Sequence, residues 1–177
     1  MKKNIVLTGL LAAMVFFTTA YILHIPVGTG GGYIHLGDTV IYIAAALLPT
    51  PYAMAAAAIG GALADILSGA AVWAIPTVII KALMVLPFTA RRERMLCRRN
   101  LLAPVLAGII GVAGYFVAEV CIVTLSGGTL QAAIGGGVVA VLPNVLQEVA
   151  GGVAFILLAA ALDRLQVKKR IFRATYT

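Results

Sequence analysis

The basic residues of this 177-residue chain are confined to a few short segments, and their spacing constrains the fold more than any other feature. Twelve of the thirteen lysines and arginines lie in three clusters, at positions 2–3, 91–99 and 164–173, and the thirteenth is Lys81. Positive charge next to membrane spans stays cytoplasmic. If all three clusters are inside, an even number of spans separates each from the next. The pattern therefore predicts a membrane protein with both termini in the cytoplasm.

The composition favours the same conclusion. The mean hydropathy is +1.07, 62% of the residues are apolar and only 11% are charged, which is far from the norm for soluble domains. The net charge of +7 belongs to the ends of apolar segments, so we attribute it to topology and lipid headgroup contact. We expect a multi-pass protein of the cell membrane that binds no nucleic acid.

The apolar segments between the clusters divide into six predicted helices. Residues 4–23 form a run of about 30 Å, which fits a retained span better than a signal peptide. The glycine-rich segment 28–33 is then extracellular, and the two prolines of residues 49–51 mark a cytoplasmic turn. The remaining helices are predicted at about 36–48, 52–67, 76–91, 101–125 and 134–162. The sequence predicts an all-α integral membrane protein, a single domain over residues 1–177 that forms a six-transmembrane-helix bundle.

Five ionisable residues lie within these spans or at their edges. Each is costly in hydrocarbon, so each is expected to face the bundle interior, a partner or a wet cavity. At a rise of about 1.5 Å per residue, Lys81, Glu119 and Glu148 fall roughly 10 Å below the outer face. Asp38 and Asp65 fall nearer to that face. The clustering predicts a pocket open to the outside, and purely structural ion pairs remain the alternative.

Other polar and aromatic side chains are predicted at the same level. Pro143 frees a backbone carbonyl one turn earlier, next to a run of polar residues. Aromatic side chains in the outer loops can cap a pocket or anchor the interface, and a lone histidine there is expected to cap a helix rather than bind metal. The candidate substrate-binding residues are Tyr33, His35, Asp38, Trp73, Lys81, Glu119, Asn144, Gln147 and Glu148.

Small residues spaced four apart occur on the first, third and fifth predicted helices. Such pairs let helix backbones approach closely. On the third and fifth helices we interpret them as packing within the bundle. On the first helix, where Gly9 and Ala13 form the pair, a docking face for another protein competes with that interpretation.

Several patterns of catalytic chemistry are missing from the sequence. It contains no phosphate-binding Gly-x-x-x-x-Gly-Lys-Ser/Thr loop, no His-Glu-x-x-His, no Gly-x-Ser-x-Gly and no Cys-x-x-Cys. An inverted repeat of the kind found in many secondary transporters is not evident either. We therefore expect no enzyme activity, no catalytic residue, no metal and no cofactor. A small chain with a pocket and no energy source is more typical of a transporter subunit.

Three segments resemble the substrate-binding S components of energy-coupling factor (ECF) transporters. The start of their second helix is similar to GYIHLGD at residues 32–38. Their third and fourth helices resemble IGGALADILSG at 59–69 and PTVIIKAL at 76–83. The order and spacing match along essentially the whole chain. The branch it resembles contains riboflavin, hydroxymethylpyrimidine, pyridoxine and queuosine-precursor transporters.

The resemblance implies a subunit that captures a vitamin or related small heterocycle from outside. It would then dock on a membrane coupling subunit carried by two cytoplasmic ATPases, and ATP hydrolysis would drive release. Family members dock through an Ala-x-x-x-Ala-like pattern on the first helix, and two phenylalanines depart from that pattern here. The substrate itself does not carry over. The docking residues implied by the nearest match are Thr8, Gly9, Ala12 and Ala13.

Two further expectations concern mechanism and ligand. The alternative function is a stand-alone secondary transporter of a similar solute, with Glu119 or Glu148 as proton carrier. The outer half holds four carboxylates against Lys81 alone, and buried carboxylates need a cation, a donor or a proton. The excess predicts a neutral or cationic heterocycle with several hydrogen-bond donors, such as a pyrimidine, pyridine or deazaguanine derivative.

Overall fold

The computed structural model describes residues 2–22, 25–27 and 32–173, and these fold into a helical bundle with one short β-ribbon. The two strands pair antiparallel, with Pro26 opposite Tyr33. The prediction of a purely helical chain did not include this ribbon, in which Ile25, Val27 and Ile34 are β-branched residues that favour extended backbone. The elements are α1 (Lys2–Ala20), β1 (Ile25–Val27), β2 (Gly32–Ile34), α2 (Gly37–Leu47), α3 (Thr50–Leu67), a 3-10 turn (Ala71–Trp73), α4 (Ala74–Leu83), α5 (Arg98–Leu125), α6 (Leu130–Arg164) and α7 (Val167–Arg173).

Four of the described helices, α1, α3, α5 and α6, are long and apolar enough to cross a membrane. The helix α2 and the segment Ala71–Leu83 are apolar but shorter. The fourth helix ends at Leu83 and not at the basic loop as predicted. Beyond it the chain continues in tighter turns, in which Val85 N bonds Ala82 O and Leu86 N bonds Leu83 O. Pro87 has no backbone N–H and cannot extend an α-helix here.

The helix α2 lies at the centre of the bundle, and all of its residues are buried. It packs against α1, α3 and α6, and its sequence is apolar on nearly every side, as a buried helix requires. Close approach elsewhere depends on glycine. A Cβ atom at Gly60 would lie 2.6 Å from the carbonyl oxygen of Ala12, and one at Gly114 would lie 2.8 Å from Ile80 Cγ1. The packing role predicted for the small residues of the third and fifth helices is thus confirmed.

The three basic clusters come together at one end of the bundle, which we call the basic end. Lys3 Nζ lies 5.9 Å from the centroid of the Phe172 ring. Lys169 Nζ lies 3.1 Å from Glu93 Oε2. These contacts join the first cluster to the third and the third to the second. This is the arrangement expected if an even number of crossings separates each cluster from the next. We call the opposite end of the bundle the far end.

Asn100 and Asp163 are two of the polar side chains that hold the connection between α4 and α5 at the basic end. Asn100 is fully buried; its Oδ1 accepts from Thr89 N at 2.8 Å, and its Nδ2 donates to Thr89 O at 2.9 Å and Met95 O at 2.7 Å. Asp163 of α6 accepts from the N–H groups of Met95 and Leu96 at 2.8 and 3.0 Å. The loop that carries Arg91, Arg92 and Arg94 is therefore an ordered part of the fold.

Candidate functional site

A buried ion pair joins the start of α2 to the end of α4. Lys81 Nζ lies 2.6 Å from Asp38 Oδ1, and both side chains are almost entirely shielded, at 3% and 0% exposure. The second carboxylate oxygen accepts a hydrogen bond from Gln147 Nε2 of α6 at 2.7 Å. An ion pair of the kind that the sequence analysis named as the alternative to a pocket is thus present, and it joins Lys81 to Asp38. We call Asp38, Lys81 and Gln147 the polar network; it ties three helices together.

His35 supports this network from the segment that leads into α2. Its backbone N–H donates to Gln147 Oε1 at 3.3 Å. Its Nδ1 accepts a hydrogen bond from the N–H of Gly37, the first residue of α2, at 2.9 Å. His35 thus satisfies a backbone donor at the helix start, as expected for a capping histidine, and it holds the amide of Gln147 in register with Asp38.

A second buried carboxylate, Glu148, follows Gln147 on α6. Its Oε2 accepts a hydrogen bond from the hydroxyl of Tyr42 on α2. Two glycines of α5 make room for it, since a Cβ at Gly108 would lie 3.2 Å from the Cβ of Glu148 and one at Gly111 would collide with its Oε1. The carboxylate is therefore enclosed between α2, α5 and α6.

Aromatic side chains border the polar network on its α5 side. Lys81 Nζ lies 5.2 Å from the centroid of the Tyr115 ring, within the range of a cation–π contact. The hydroxyl of Tyr115 lies 3.2 Å from Thr77 Oγ1. Trp73, which is half-buried, has its ring 6.0 Å from that of Tyr115. Trp73, Tyr115 and Lys81 therefore form a continuous contact from the 3-10 turn into the bundle.

Three further aromatic rings separate the polar network from the basic end, and we call them the aromatic floor. Tyr42, one turn beyond Asp38 on α2, stacks on Phe88 with ring centroids 5.0 Å apart. Phe155 of α6 meets both rings edge-on, at 6.0 and 5.5 Å. All three residues are buried. Edge-to-face and offset contacts of this kind stabilise aromatic clusters beyond their area burial.

The structure does not bring Glu119 into the polar network. A Cβ at Gly136 would lie 3.0 Å from Glu119 Oε1, whereas Glu148 lies against Gly111. Eight residues separate Glu119 from Gly111 on α5, about 12 Å along the helix axis. The sequence placed the two carboxylates at similar depth, but Glu148 lies 18 residues into α6, about 27 Å from its start, and Glu119 lies six residues from the end of α5.

The other predicted site residues occupy different positions. Asn144 lies one turn before Glu148 on α6 and is half-buried; within the described residues its side chain makes no hydrogen bond. Asp65 is buried on α3. The side chain of Tyr33 lies outside the described part of the chain, although its backbone belongs to β2. Among described residues, no group of three or more metal-ligating side chains is close enough to hold an ion.

The sequence comparison identifies the family. The family model described as the S component of ECF-type riboflavin transporters matches residues 1–164. This chain belongs to that family. A solved structure of the S component of a bacterial ECF transporter shares the fold, with a TM-score of 0.71 over 93% of this chain and 97% of that chain. The two sequences are 17% identical, so that likeness concerns the fold alone. No curated protein matches the chain.

Membership of the family has direct consequences. The protein is an integral, multi-pass membrane protein and the substrate-binding subunit of an ECF transporter. It is not an enzyme, because S components are substrate-binding subunits of transporters. Its partners are a vitamin-like substrate and a membrane ECF module. The resemblance drawn from three short motifs is thereby confirmed.

The α1 helix of this S component presents two different sides. Thr8 Oγ1 donates to Asn4 O at 2.8 Å and reaches Tyr52 O of α3 at 3.5 Å. Ala12 is buried against α3. Gly9 and Ala13 lie on the exposed side, where a Cβ at Gly9 would meet no described atom within 4 Å. Of the four docking candidates, Gly9 and Ala13 are the two with open space beside them.

Sequence reasoning missed three polar residues of the S-component interior: Tyr42, Thr77 and Tyr115. Helical spacing could have indicated two of them. Tyr42 is four residues after Asp38 and Tyr115 is four residues before Glu119, and residues four apart share a helix face. Thr77 offered no comparable signal, because a single threonine is common in an apolar helix and usually packs like an apolar side chain.

Proposed function

We propose that this S component captures a vitamin-like heterocycle from outside, in the far half of the bundle above the polar network. The observation that carries this proposal is the buried Asp38–Lys81–Gln147 constellation, in a family whose role is to bind a solute. Ionisable groups inside a membrane bundle are expensive and mark functional sites by default. Here they meet at the start of α2, away from the basic end.

In this proposal the network forms the base of the site, and half-buried groups closer to the far end contact the ligand. Asp38, Lys81 and Gln147 already bond one another, so their charges and orientations are fixed before a solute arrives. The half-buried side chain of Asn144 keeps free hydrogen-bonding capacity, and that of Trp73 keeps free ring surface. Preorganised polar groups of this kind, combined with apolar walls, are typical of small-molecule sites.

The network also bears on the charge of the ligand. The positive charge of Lys81 compensates the negative charge of Asp38. The site as a whole therefore favours a neutral ring system with polar edges. Riboflavin, the substrate in the family description, is such a molecule, and we propose it as the first ligand to test. A phosphorylated flavin would bring its charge toward Glu148 and Glu119 and should bind more weakly.

The binding test uses purified protein in mild detergent. Mass spectrometry of molecules released on denaturation identifies any retained ligand, and quenching of riboflavin fluorescence gives its affinity. We expect Asn144→Ala and Trp73→Ala to weaken binding about tenfold each, as the loss of one good contact does. Leu157→Ala, at an exposed apolar position of α6, is the matched control. Tighter binding of the phosphorylated flavin, or unchanged affinity in both site variants, would contradict the proposed site.

We further propose that Gly9 and Ala13 form the docking contact with a membrane coupling subunit driven by two ATPases. Support comes from their exposure and from the absence of bulky side chains, which lets another helix approach closely. Gly9→Leu and Ala13→Leu should abolish uptake in cells while ligand binding stays within about twofold of the parent. Val6→Leu, on the same exposed side, is the control. Equal loss of binding and uptake would assign these residues to bundle packing instead.

We also propose that all six apolar helical segments cross the membrane, with both termini and the basic end in the cytoplasm. The meeting of the three basic clusters at one end supports this arrangement. The short α2, of 11 residues, would rise only about 16 Å by itself. In this proposal its crossing is completed by the chain that precedes and follows it, which is possible because α2 is shielded from lipid by its neighbours.

A further inference from the structure

An open cavity of about 730 Å³ lies at the basic end. It is bounded by the end of α2, the turn into α3, the α4–α5 connection and α7. Its size falls within the range of about 300–1,000 Å³ that is typical of small-molecule sites. We call it the basic groove. It lies on the opposite side of the aromatic floor from the polar network, so it is separate from the proposed substrate site.

The groove carries a strong excess of positive charge. Arg91, Arg92, Lys168 and Lys169 line it, and Glu93 is the acidic residue among the lining residues, which leaves three positive charges uncompensated. The Lys169–Glu93 pair is largely exposed, at 40% and 80%, and contributes little to stability. A concave surface lined by one sign of charge concentrates counter-ions of the other sign.

Lys168 joins two walls of this groove by hydrogen bonds. It is buried, and its Nζ donates to the carbonyl oxygens of Ala46 and Ala90, each at 2.7 Å. These bonds tie the last turn of α2 and the arginine-bearing loop to α7. An ammonium group has three donors, and contacts with the described residues use two of them, so one N–H is left for a ligand. Burial lowers the pKa of Lys168 while the Asp163 carboxylate opposes that shift, and an anion in the groove would oppose it further.

The remaining walls suit a molecule with both charged and apolar parts. Leu47 and Phe172 add apolar surface to the groove. The first residues of α3, an 18-residue helix, form another wall, and the N-terminal end of a helix carries partial positive charge. Topology alone explains basic residues at a cytoplasmic end. It does not explain a shaped cavity in which four of them converge.

We propose that the basic groove binds the phosphate group of an anionic compound, in which no cation of the same molecule neutralises the phosphate. The phosphate can be carried by the headgroup of an anionic lipid or by a small soluble compound, because the cations and the free Lys168 donor serve both equally. Arginine and lysine are the side chains best suited to phosphate oxygens. Variants of basic residues outside the groove can serve as controls. The exposed basic residues at the same end that do not line the groove are Arg94, Arg98, Arg164 and Arg170.

The test measures thermal unfolding of the full chain in a neutral detergent as three probes are titrated. The probes are dihexanoylphosphatidylglycerol, the zwitterionic dihexanoylphosphatidylcholine and pyrophosphate. The parent should be stabilised in a saturable way by at least one of the two anionic probes. At about fivefold in affinity per basic residue near a phosphate, Arg91→Gln/Arg92→Gln should weaken the apparent affinity about 25-fold. Arg94→Gln/Arg98→Gln, with the same charge change, should retain the parental affinity.

The outcomes separate the sources of the phosphate. Stabilisation by phosphatidylglycerol without pyrophosphate indicates a lipid headgroup, and stabilisation by pyrophosphate indicates that a soluble phosphate suffices. The proposal is overturned if neither probe acts, if phosphatidylcholine acts equally well, or if the two double variants lose affinity equally. The unliganded melting temperatures of both variants should match the parent, because all four arginines are exposed.

Discussion

Replacing Lys81 by methionine would leave the Asp38 carboxylate buried with Gln147 as its remaining partner among the contacts described above. The carboxylate is 0% exposed and loses a cation that lies 2.6 Å away. Removing one partner of a buried ion pair typically costs about 3–5 kcal/mol, because the other charge is left without compensation. We expect a loss of that size for Lys81→Met. Asp38→Asn should be costly too, since it strands the ammonium of Lys81 in the same interior.

The double variant Asp38→Asn/Lys81→Met is the decisive comparison. It removes both charges, and the new asparagine can still accept a hydrogen bond from Gln147. Neutral replacements of a whole buried pair are often tolerated, so the double variant should be more stable than either single variant. The coupling free energy should be at least about 2 kcal/mol.

Reversible unfolding in mixed micelles of a mild detergent and dodecyl sulfate measures these differences. Val78→Met, at an exposed position of α4, controls for the new methionine. Additive losses in the double variant would refute the reasoning, because they would mean that Asp38 and Lys81 contribute independently and not as a pair.

Three other perturbations test separate parts of the structure. Gly111→Ala should destabilise the protein by about 1–3 kcal/mol, because the new methyl group collides with Glu148. Gly135→Ala, where the methyl group meets open space, should leave the free energy of unfolding unchanged or raise it. Equal effects of the two substitutions would contradict the packing at Glu148. Asn100→Ala removes three hydrogen bonds and should make the arginine loop cleavable by trypsin, unlike the parent; resistance to trypsin would show that the loop is held without it. In a cysteine-free background, a label at Thr129 should react from outside the cell and one at Gln166 only after permeabilisation, and the reverse pattern would invert the proposed topology.

Much of the helical layout could be predicted, because it depends on properties that act locally. The apolar lengths, the proline and glycine turns and the basic clusters placed α1 to α6 within a few residues of their observed bounds, α4 excepted, whereas the short α7 (Val167–Arg173) was not predicted. For α4 the pattern was ambiguous, since residues 84–90 remain apolar although the α-helical bonding has ended at Leu83. The β-ribbon was missed because three-residue strands give almost no periodic signal.

The site could be predicted less well, because it depends on which helices meet. The cost of a charge in hydrocarbon identified Asp38, Lys81 and Glu148 as interior residues. It did not reveal that Asp38 pairs with Lys81, since that requires the end of α4 to approach the start of α2 in the folded bundle. The depth of Glu148, and not that of Glu119, was misjudged. Glu119 lies six residues from the end of α5, about 9 Å along the axis and close to the expected depth, whereas Glu148 lies 18 residues into α6, about 27 Å from its start. The contact of Glu148 with Gly111 depends on how α5 packs against α6, which a count along one helix does not contain.

The aromatic floor has a consequence for how a solute can cross the membrane. Tyr42, Phe88 and Phe155 are at most 3% exposed, so a molecule held above them would be in a dead end. It could leave by the way it entered, or it could reach the other side if the whole subunit moved or the rings separated. Capture and delivery are then distinct events with distinct energy requirements. A variant that thins this barrier, such as Phe155→Ala, would risk turning a binding protein into a leak.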